Sequence, residues 1–410
     1  ALQLLLAWPA AKYWLGDVRA ALPLRLLAPS LPFMAMAAAL RGYFLARRRT
    51  WPNAFSQMFE QAARILAVML IIRPAAALGI EYACAAVVLG NTISETLSCL
   101  WMFWFYRRDR RAAFPGLKRN LPKDAMGRLW AILLPVEGSR CLASALQAAE
   151  NMLVPACLLP FLASREAALS QYGALKGMAM PVLFFPFSFL SALATLLMPE
   201  ITEAHIQGRA RSLERLIGRM IYLTGVGSIL AAGLFTLYAP ELGRLLYGSE
   251  EVGFYLRVLG PVMPCMYLES MVDGVLKGMG EQMATFRYSV WDSALRIAGV
   301  ILLLPRFGMP GFLGVMVFSN CFTCALNCRR MLCAAGMHGH WLRWAVQPAL
   351  ALLAALFLGH TAALRAAPGG DLAVLVSGTL VAGLAYAALL WPFGLGGELR
   401  GLWPRRRAEG

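Results

Sequence analysis

The sequence predicts an all-α polytopic membrane protein: two helix bundles related by a parallel repeat, followed by two extra C-terminal helices. Three observations carry this. The 410 residues are 59% hydrophobic and only 15% charged, with a mean hydropathy of +0.61, outside the usual range of a soluble globular chain. Apolar runs long enough to cross a hydrocarbon core of about 30 Å recur along the whole length, most of them broken by basic loops. Finally, "LRLLAPSLPFM" at 24–34 returns as "LRVLGPVMPCM" at 256–266, a spacing of 232 residues (24 against 256).

Taken in order, the runs give eleven full spans, near 23–44, 54–73, 79–105, 126–159, 172–199, 217–239, 254–276, 285–304, 309–328, 342–363 and 371–392. Two of them, 126–159 and 172–199, exceed the roughly 20 residues a span needs, so each is expected to tilt, kink or extend into water. Basic loops are poorly translocated, which fixes the orientation. One side receives "RGYFLARRR", "RRDRRAAFPGLKRN", "GRARSLERLIGR", "CRR" at 328–330 and "RRR" at 405–407; the other receives loops with one Arg at most. The first side, with the C-terminus, is therefore expected to be cytoplasmic. The net charge of +16 is a topology signal with attraction to anionic inner-leaflet lipids, and no nucleic-acid partner is expected.

Residues 1–8, "ALQLLLAW", are too few to span and show neither a charged n-region nor a cleavage site. They read as the tail of a span. Because the second copy's first helix begins near 126, a spacing of 232 places its first-copy counterpart about 106 residues before residue 1, so the N-terminal lobe is expected to be incomplete. The complete chain would hold fourteen helices. The expected organisation is an N-terminal lobe at 1–106, a basic cytoplasmic linker at 107–125, a C-terminal lobe at 126–335, two additional transmembrane helices at 336–395 and a basic tail at 396–410.

The repeat extends beyond its opening motif: Gly42 falls on Gly274, Phe59 on Trp291, Glu60 on Asp292 and Arg64 on Arg296. An even number of spans separates the copies, so the halves share orientation, the arrangement of a two-lobed transporter with its substrate path between bundles. Pro29 with Pro32, and Pro261 with Pro264, remove backbone donors and are expected to kink one helix per lobe. These kinks either bend during alternating access or are static.

The layout, "LRGYFLARRR", "AAENMLVP" at 148–155, "YGALKGMAMPVLFFPFSFLSALATLLMPEITEAHIQGR" at 172–209 and "MYLESMVDGVLKGMGEQ" at 266–282 resemble the polysaccharide flippase branch of the multidrug/oligosaccharidyl-lipid/polysaccharide (MOP) exporter superfamily, and within it the stage V sporulation protein B group. The resemblance covers nearly the whole chain. It implies a MATE-like fold of two six-helix lobes plus two helices, and flipping of a polyprenyl-(pyro)phosphate-linked oligosaccharide or peptidoglycan precursor to the outer leaflet. It further implies a role in polysaccharide, cell-wall or spore-cortex synthesis, with cell-wall synthesis proteins as partners. No cofactor is implied beyond a coupling H+ or Na+, and no enzymatic activity.

Charges inside spans are the strongest site signal, since each costs at least about 2.5 kcal/mol at mid-bilayer unless paired or wet. Glu137 and Arg140 are i,i+3 and either pair locally or offer Arg140 to a substrate phosphate. Glu150, followed by Asn151, is a candidate for proton or cation coupling, against a helix-packing hydrogen bond. Glu60/Arg64 and Asp292/Arg296 are i,i+4 pairs with the acid first, read as structural ion pairs or as Arg groups facing the substrate cavity. Glu269 and Asp273 repel one another when both are ionised, which favours a proton on one of them or pairing with Lys277. Glu95 is a further acid without an evident local partner.

Other motifs argue against alternative chemistry. Cys321, Cys324, Cys328 and Cys333 sit on and just after an apolar helix, so no metal site is expected, and the nine cysteines read mostly as small hydrophobes. "HGH" at 338–340 lies in a loop, and no G-x-x-x-x-G-K-[ST] phosphate loop is present. The alternatives to a flippase are a cation-coupled multidrug or metabolite exporter of the same superfamily and a non-transporting scaffold for envelope synthesis. The extra helix pair argues against the exporter. A membrane glycosyltransferase would need a large extracellular loop, and the longest outer loop is about 240–253.

Overall fold

The computed structural model describes residues 2–15, 18–47, 49, 51–113, 125–162, 164–366, 370–392 and 396, and every element among them is helical. The expected linker at 107–125 and tail at 396–410 fall largely outside these residues. Contacts divide the chain into two compact units, 1–127 and 128–410.

The first unit holds α1 (Leu2–Pro9), a π turn (Ala10–Leu15), a 3-10 turn (Val18–Ala20), α2 (Ala21–Leu27), α3 (Ser30–Ala46), α4 (Trp51–Leu78) and α5 (Ile80–Ala113). The chain bends by 42° between Leu27 and Ser30. Pro29 caps α3 and Pro32 lies in its first turn, where a missing amide costs no helical hydrogen bond. Leu40 and Phe44 of α3 are buried with Met102 of α5. Polar bonds replace oil elsewhere: Ser56 and Ser98 share a hydrogen bond of 2.8 Å across α4 and α5, and Thr92 donates to the carbonyl of Leu26 at 3.1 Å. At the basic end, Asp109 gathers Tyr43, Arg47 and Arg49.

The second unit is built from α6 (Ala125–Leu162, entering from the first unit), α7 (Arg165–Gly173), a π turn (Ala174–Ala179), α8 (Met180–Ile206), α9 (Ala210–Leu237), α10 (Ala239–Tyr247), α11 (Glu250–Leu259), a 3-10 turn (Gly260–Val262), α12 (Met263–Gly278), α13 (Gln282–Ala335), a π turn (Leu342–Val346), α14 (Gln347–Ala366) and α15 (Asp371–Leu390). Ser164 and Ser249 cap α7 and α11 through the amides of Ala167 and Val252. Helix α9 is central, with residues such as Ile217, Met220 and Val226 buried in a core that also takes Met271 and Val275 of α12 and Leu352 and Ala355 of α14. The extra helix pair is fastened to the repeat: Tyr386 donates to the carbonyl of Val226 at 3.1 Å, and Arg244 donates to both oxygens of Asp371 at 2.9 and 3.2 Å. The same contact raises the Arg244 guanidinium above its ordinary range.

Eight helices among the described residues are long and apolar enough to cross a membrane, or nine if the bent pair Val18–Leu27 and Ser30–Leu45 counts as one span. Eleven were expected, and the difference has two physical sources. The run at 254–276 is divided by its 3-10 turn, so neither piece qualifies alone. The expected spans at 285–304 and 309–328 appear as one 54-residue element, α13, interrupted at Gly308. This element is a hairpin. Ser319 and Thr323 of its second arm bond Asp292 of its first, and Gly299 packs on Val315. The reversal requires glycine: Gly308 has φ 60° and ψ −145°, a conformation essentially closed to other residues, and a Cβ there would lie 2.6 Å from the ring of Phe161.

Candidate functional site

The second unit brings three charged residues, Glu150, Lys176 and Arg296, to one depth. Glu150 lies 12 residues before the end of α6 (150 against 162), Lys176 lies 11 residues after the start of α7 (165 against 176), and Arg296 precedes the Gly308 reversal by 12 (296 against 308). At about 1.5 Å per residue each is about 17–18 Å from the same end of the bundle, close to the middle of a hydrocarbon core of about 30 Å.

Arg296 organises this cluster. Its Nε donates to Ser319 Oγ at 2.7 Å and stands 3.1 Å from Asp292, while Nη1 stands 3.8 Å from Glu150 Oε1. Asp292 in turn accepts from Ser319 and, at 2.9 Å, from Thr323. The side chains of Glu150, Asp292 and Arg296 retain only 6%, 15% and 17% of their exposure. A buried carboxylate from α6 and a half-buried one from α13 therefore share one guanidinium, and Glu150 Oε1 accepts no hydrogen bond among the described residues. Glu150 is thus neither solitary nor held by a packing hydrogen bond: its neighbour is an arginine 146 positions on (150 against 296).

Lys176 completes the arrangement. A π turn carries it, a geometry that costs helix regularity and often marks a site. Its ammonium lies over the ring of Tyr172, 5.9 Å from the centroid, and makes no hydrogen bond or ion pair among the described residues. Glu150 and Arg296 act on it only through space. Tyr172 donates to Asn151 Oδ1 at 2.6 Å, which joins Asn151 to this corner.

The remaining expected residues lie elsewhere. Glu137 and Arg140 form an exposed pair at 3.5 Å. Arg140 also lines a groove of about 570 Å³ with Asp273, Lys277, Gln282 and Ser289. Asp273 pairs with Lys277 at 2.5 Å, and Glu269 lies within electrostatic range of Asp292, Arg296 and Asp273. Pro261 lies in the 3-10 turn and Pro264 in the first turn of α12. Cys265 and Cys321 bring their sulfurs to 3.8 Å.

In the first unit Glu60 pairs with Arg64 at 3.0 Å and with Arg41 at 2.7 Å, and Arg41 also reaches Ser98 at 3.5 Å. Glu95 does have a local partner: Asn91 donates to its Oε1 at 2.9 Å, while Oε2 is buried without one. The repeat-related acid/Arg pairs therefore recruit opposite third members. The first unit sets two arginines on one carboxylate, a formal excess of one positive charge. The second sets two carboxylates on one arginine. Arg41 itself falls on Asp273 in the repeat, an inversion of charge at one register position. Sequence reasoning overlooked Arg41 and Lys176, although both are charges inside expected spans and the rule that selected Glu150 selects them too.

A charged cluster at the mid-depth of an all-helical, multi-pass bundle defines a membrane protein of transporter architecture. No family model matches the chain. It is similar to stage V sporulation protein B of Bacillus subtilis (strain 168), 28% identical over 309 residues, covering 73% of this chain and 59% of that protein. Sporulation protein YkvU of the same organism is 24% identical over 274 residues, covering 67% of this chain and 61% of that protein. The chain thus spans about three fifths of the length of these relatives. Among solved structures, the lipid II flippase MurJ in an inward closed conformation superposes with a TM-score of 0.67 at 14% identity, covering 96% of this chain and 81% of that one. An inward-facing multidrug resistance MATE family transporter of the MOP superfamily gives 0.62 at 11%, covering 82% and 79%. The chain has the fold of MOP-superfamily transporters, and the sequence resemblance to the stage V sporulation protein B group holds.

Proposed function

We propose that the protein is a flippase for a polyprenyl-(pyro)phosphate-linked oligosaccharide or peptidoglycan precursor, acting in cell-wall or spore-cortex synthesis from a bacterial plasma membrane with its C-terminus cytoplasmic. The observation that carries this reading is Lys176: an ammonium at mid-depth, half-buried and without a direct ion pair, suits a phosphate carried through the bilayer. The similarity to stage V sporulation protein B and the fold shared with a lipid II flippase support it. In this reading the two lobes are 1–106 and 126–335, and α14 and α15 are the additional pair. Lys176 is where a substrate phosphate binds, with Arg296 beside it as a second candidate; Arg64 and Arg41 are the first unit's own cationic group, and Glu150 with Asn151 is where a coupling H+ or Na+ acts. Arg140, Glu137, Glu269 and Asp273 line the approach from the basic-loop end.

The multidrug exporter reading makes the opposite demand on the ligand. Purified protein should bind an undecaprenyl-pyrophosphate sugar and release it to excess unlabelled lipid but not to a lipophilic cationic dye. Displacement by the dye, with no binding of the lipid-linked sugar, would favour the exporter.

A further inference from the structure

A second site, independent of the charged cluster, lies where the repeat motif meets α14. Ile229, Gly233 and Thr236 of α9, Pro261 and Pro264 at the kink, and Leu352 and Leu356 of α14 enclose an apolar groove of about 440 Å³ with Arg257 on its rim. Gly233 is what lets α14 approach, since a Cβ there would lie 2.7 Å from Leu352. Leu353 and Phe357, beside the groove on α14, are 66% and 70% exposed, so this flank meets hydrocarbon. Arg257 is exposed and makes no hydrogen bond or ion pair among the described residues. It lies at the end of the bundle away from the basic loops, because α9 leaves its basic start at Ala210 and reaches the groove only in its second half.

We propose that this groove binds one anionic glycerophospholipid, with an acyl chain against Pro261, Pro264 and α14 and its phosphate on Arg257. Charge complementarity selects the occupant: an unpaired guanidinium at the interface end of a hydrocarbon-lined slot matches a phosphate above a chain and gives a neutral or sugar headgroup nothing comparable. Because the acyl chain lies along the 3-10 turn at Gly260–Val262, occupancy is linked to the shape of the kinked helix. The first unit repeats the motif with Arg25 ahead of Pro29 and Pro32, whereas α14 belongs to the additional helix pair outside the repeat.

The test is native mass spectrometry of the protein from nanodiscs containing phosphatidylglycerol and phosphatidylcholine. Wild type should retain one phosphatidylglycerol in preference to phosphatidylcholine. Arg257→Gln should lower that retention about fivefold, the size expected for one arginine at an anionic surface. Arg257→Lys should keep part of it, Ile229→Trp should exclude lipid of either kind from the groove, and Arg25→Gln should change nothing. Equal retention of the two lipids by wild type, undiminished retention by Arg257→Gln, or an equal loss in Arg25→Gln would overturn the proposal. The last result would show only general attraction of arginine to an anionic bilayer. None of these variants touches Lys176 or Arg296, so failure of the lipid site leaves the flippase reading standing, and the reverse holds as well.

Discussion

Arg296→Gln is expected to lower the thermal unfolding midpoint of the detergent-solubilised protein by roughly 5 °C. The substitution removes the only cation among the described residues in contact with the two carboxylates Glu150, at 3.8 Å, and Asp292, at 3.1 Å, both largely withdrawn from solvent. Breaking a buried ion pair from one side costs about 3–5 kcal/mol, because the remaining charge has lost its compensation. The neutral amide still reaches Ser319, so lost packing contributes little. The double variant Glu150→Gln with Arg296→Gln should recover much of the loss, since one of the uncompensated charges is gone. A midpoint for Arg296→Gln equal to wild type would show that the guanidinium does not hold this cluster together.

Lys176→Met should abolish transport of a lipid-linked sugar and weaken its binding about 10- to 100-fold, while the midpoint stays near that of wild type. A charged hydrogen bond to a phosphate is worth about 1.5–3 kcal/mol, which sets the expected loss in affinity. Stability should change little because Lys176 makes no direct ion pair: its contact is with the Tyr172 ring, and methionine fills similar space against that ring. Lys176→Arg should keep part of the activity through a second phosphate-binding cation. Full transport by Lys176→Met would remove this residue from the substrate path and shift the role to Arg296 or to the first-unit arginines.

The contrast between these two residues shows what could be read from the chain. Apolar runs and basic loops marked nearly every helix, because hydropathy acts over some 20 residues and tolerates local irregularity. Pairs within one helix, Glu60/Arg64, Asp292/Arg296 and Asp273/Lys277, follow from i,i+4 spacing and appear at 3.0, 3.1 and 2.5 Å. Pairs between helices do not follow from spacing. Nothing local in the sequence joins Glu150 to Arg296 or Arg41 to Glu60, since those contacts depend on which face of each helix turns inward. In helices apolar on nearly every side, the pattern that normally reports that face is weak. Arg140 shows the same limit: its spacing from Glu137 was legible, but its exposed position was not. Ser319 and Thr323 were invisible for a further reason, because they reach Asp292 only through the reversal that Gly308 permits.

Glu60 holds two arginines in the first unit, whereas Arg296 holds two carboxylates in the second, so the repeat-related pairs carry opposite local charge. In the proposed reading, Lys176 of the second unit meets the phosphate of a carried anion, and Glu150 meets the coupling cation. The measurement that tests this most directly is transport in liposomes: fluorescent undecaprenyl-pyrophosphate sugar in one leaflet, with its appearance in the other read by an impermeant quencher. Protein-dependent transfer that responds to a proton or Na+ gradient, and loses that response in Glu150→Gln, is the predicted result. Folded protein that transfers no lipid-linked sugar under any gradient, but does move a small cationic dye, would contradict the account.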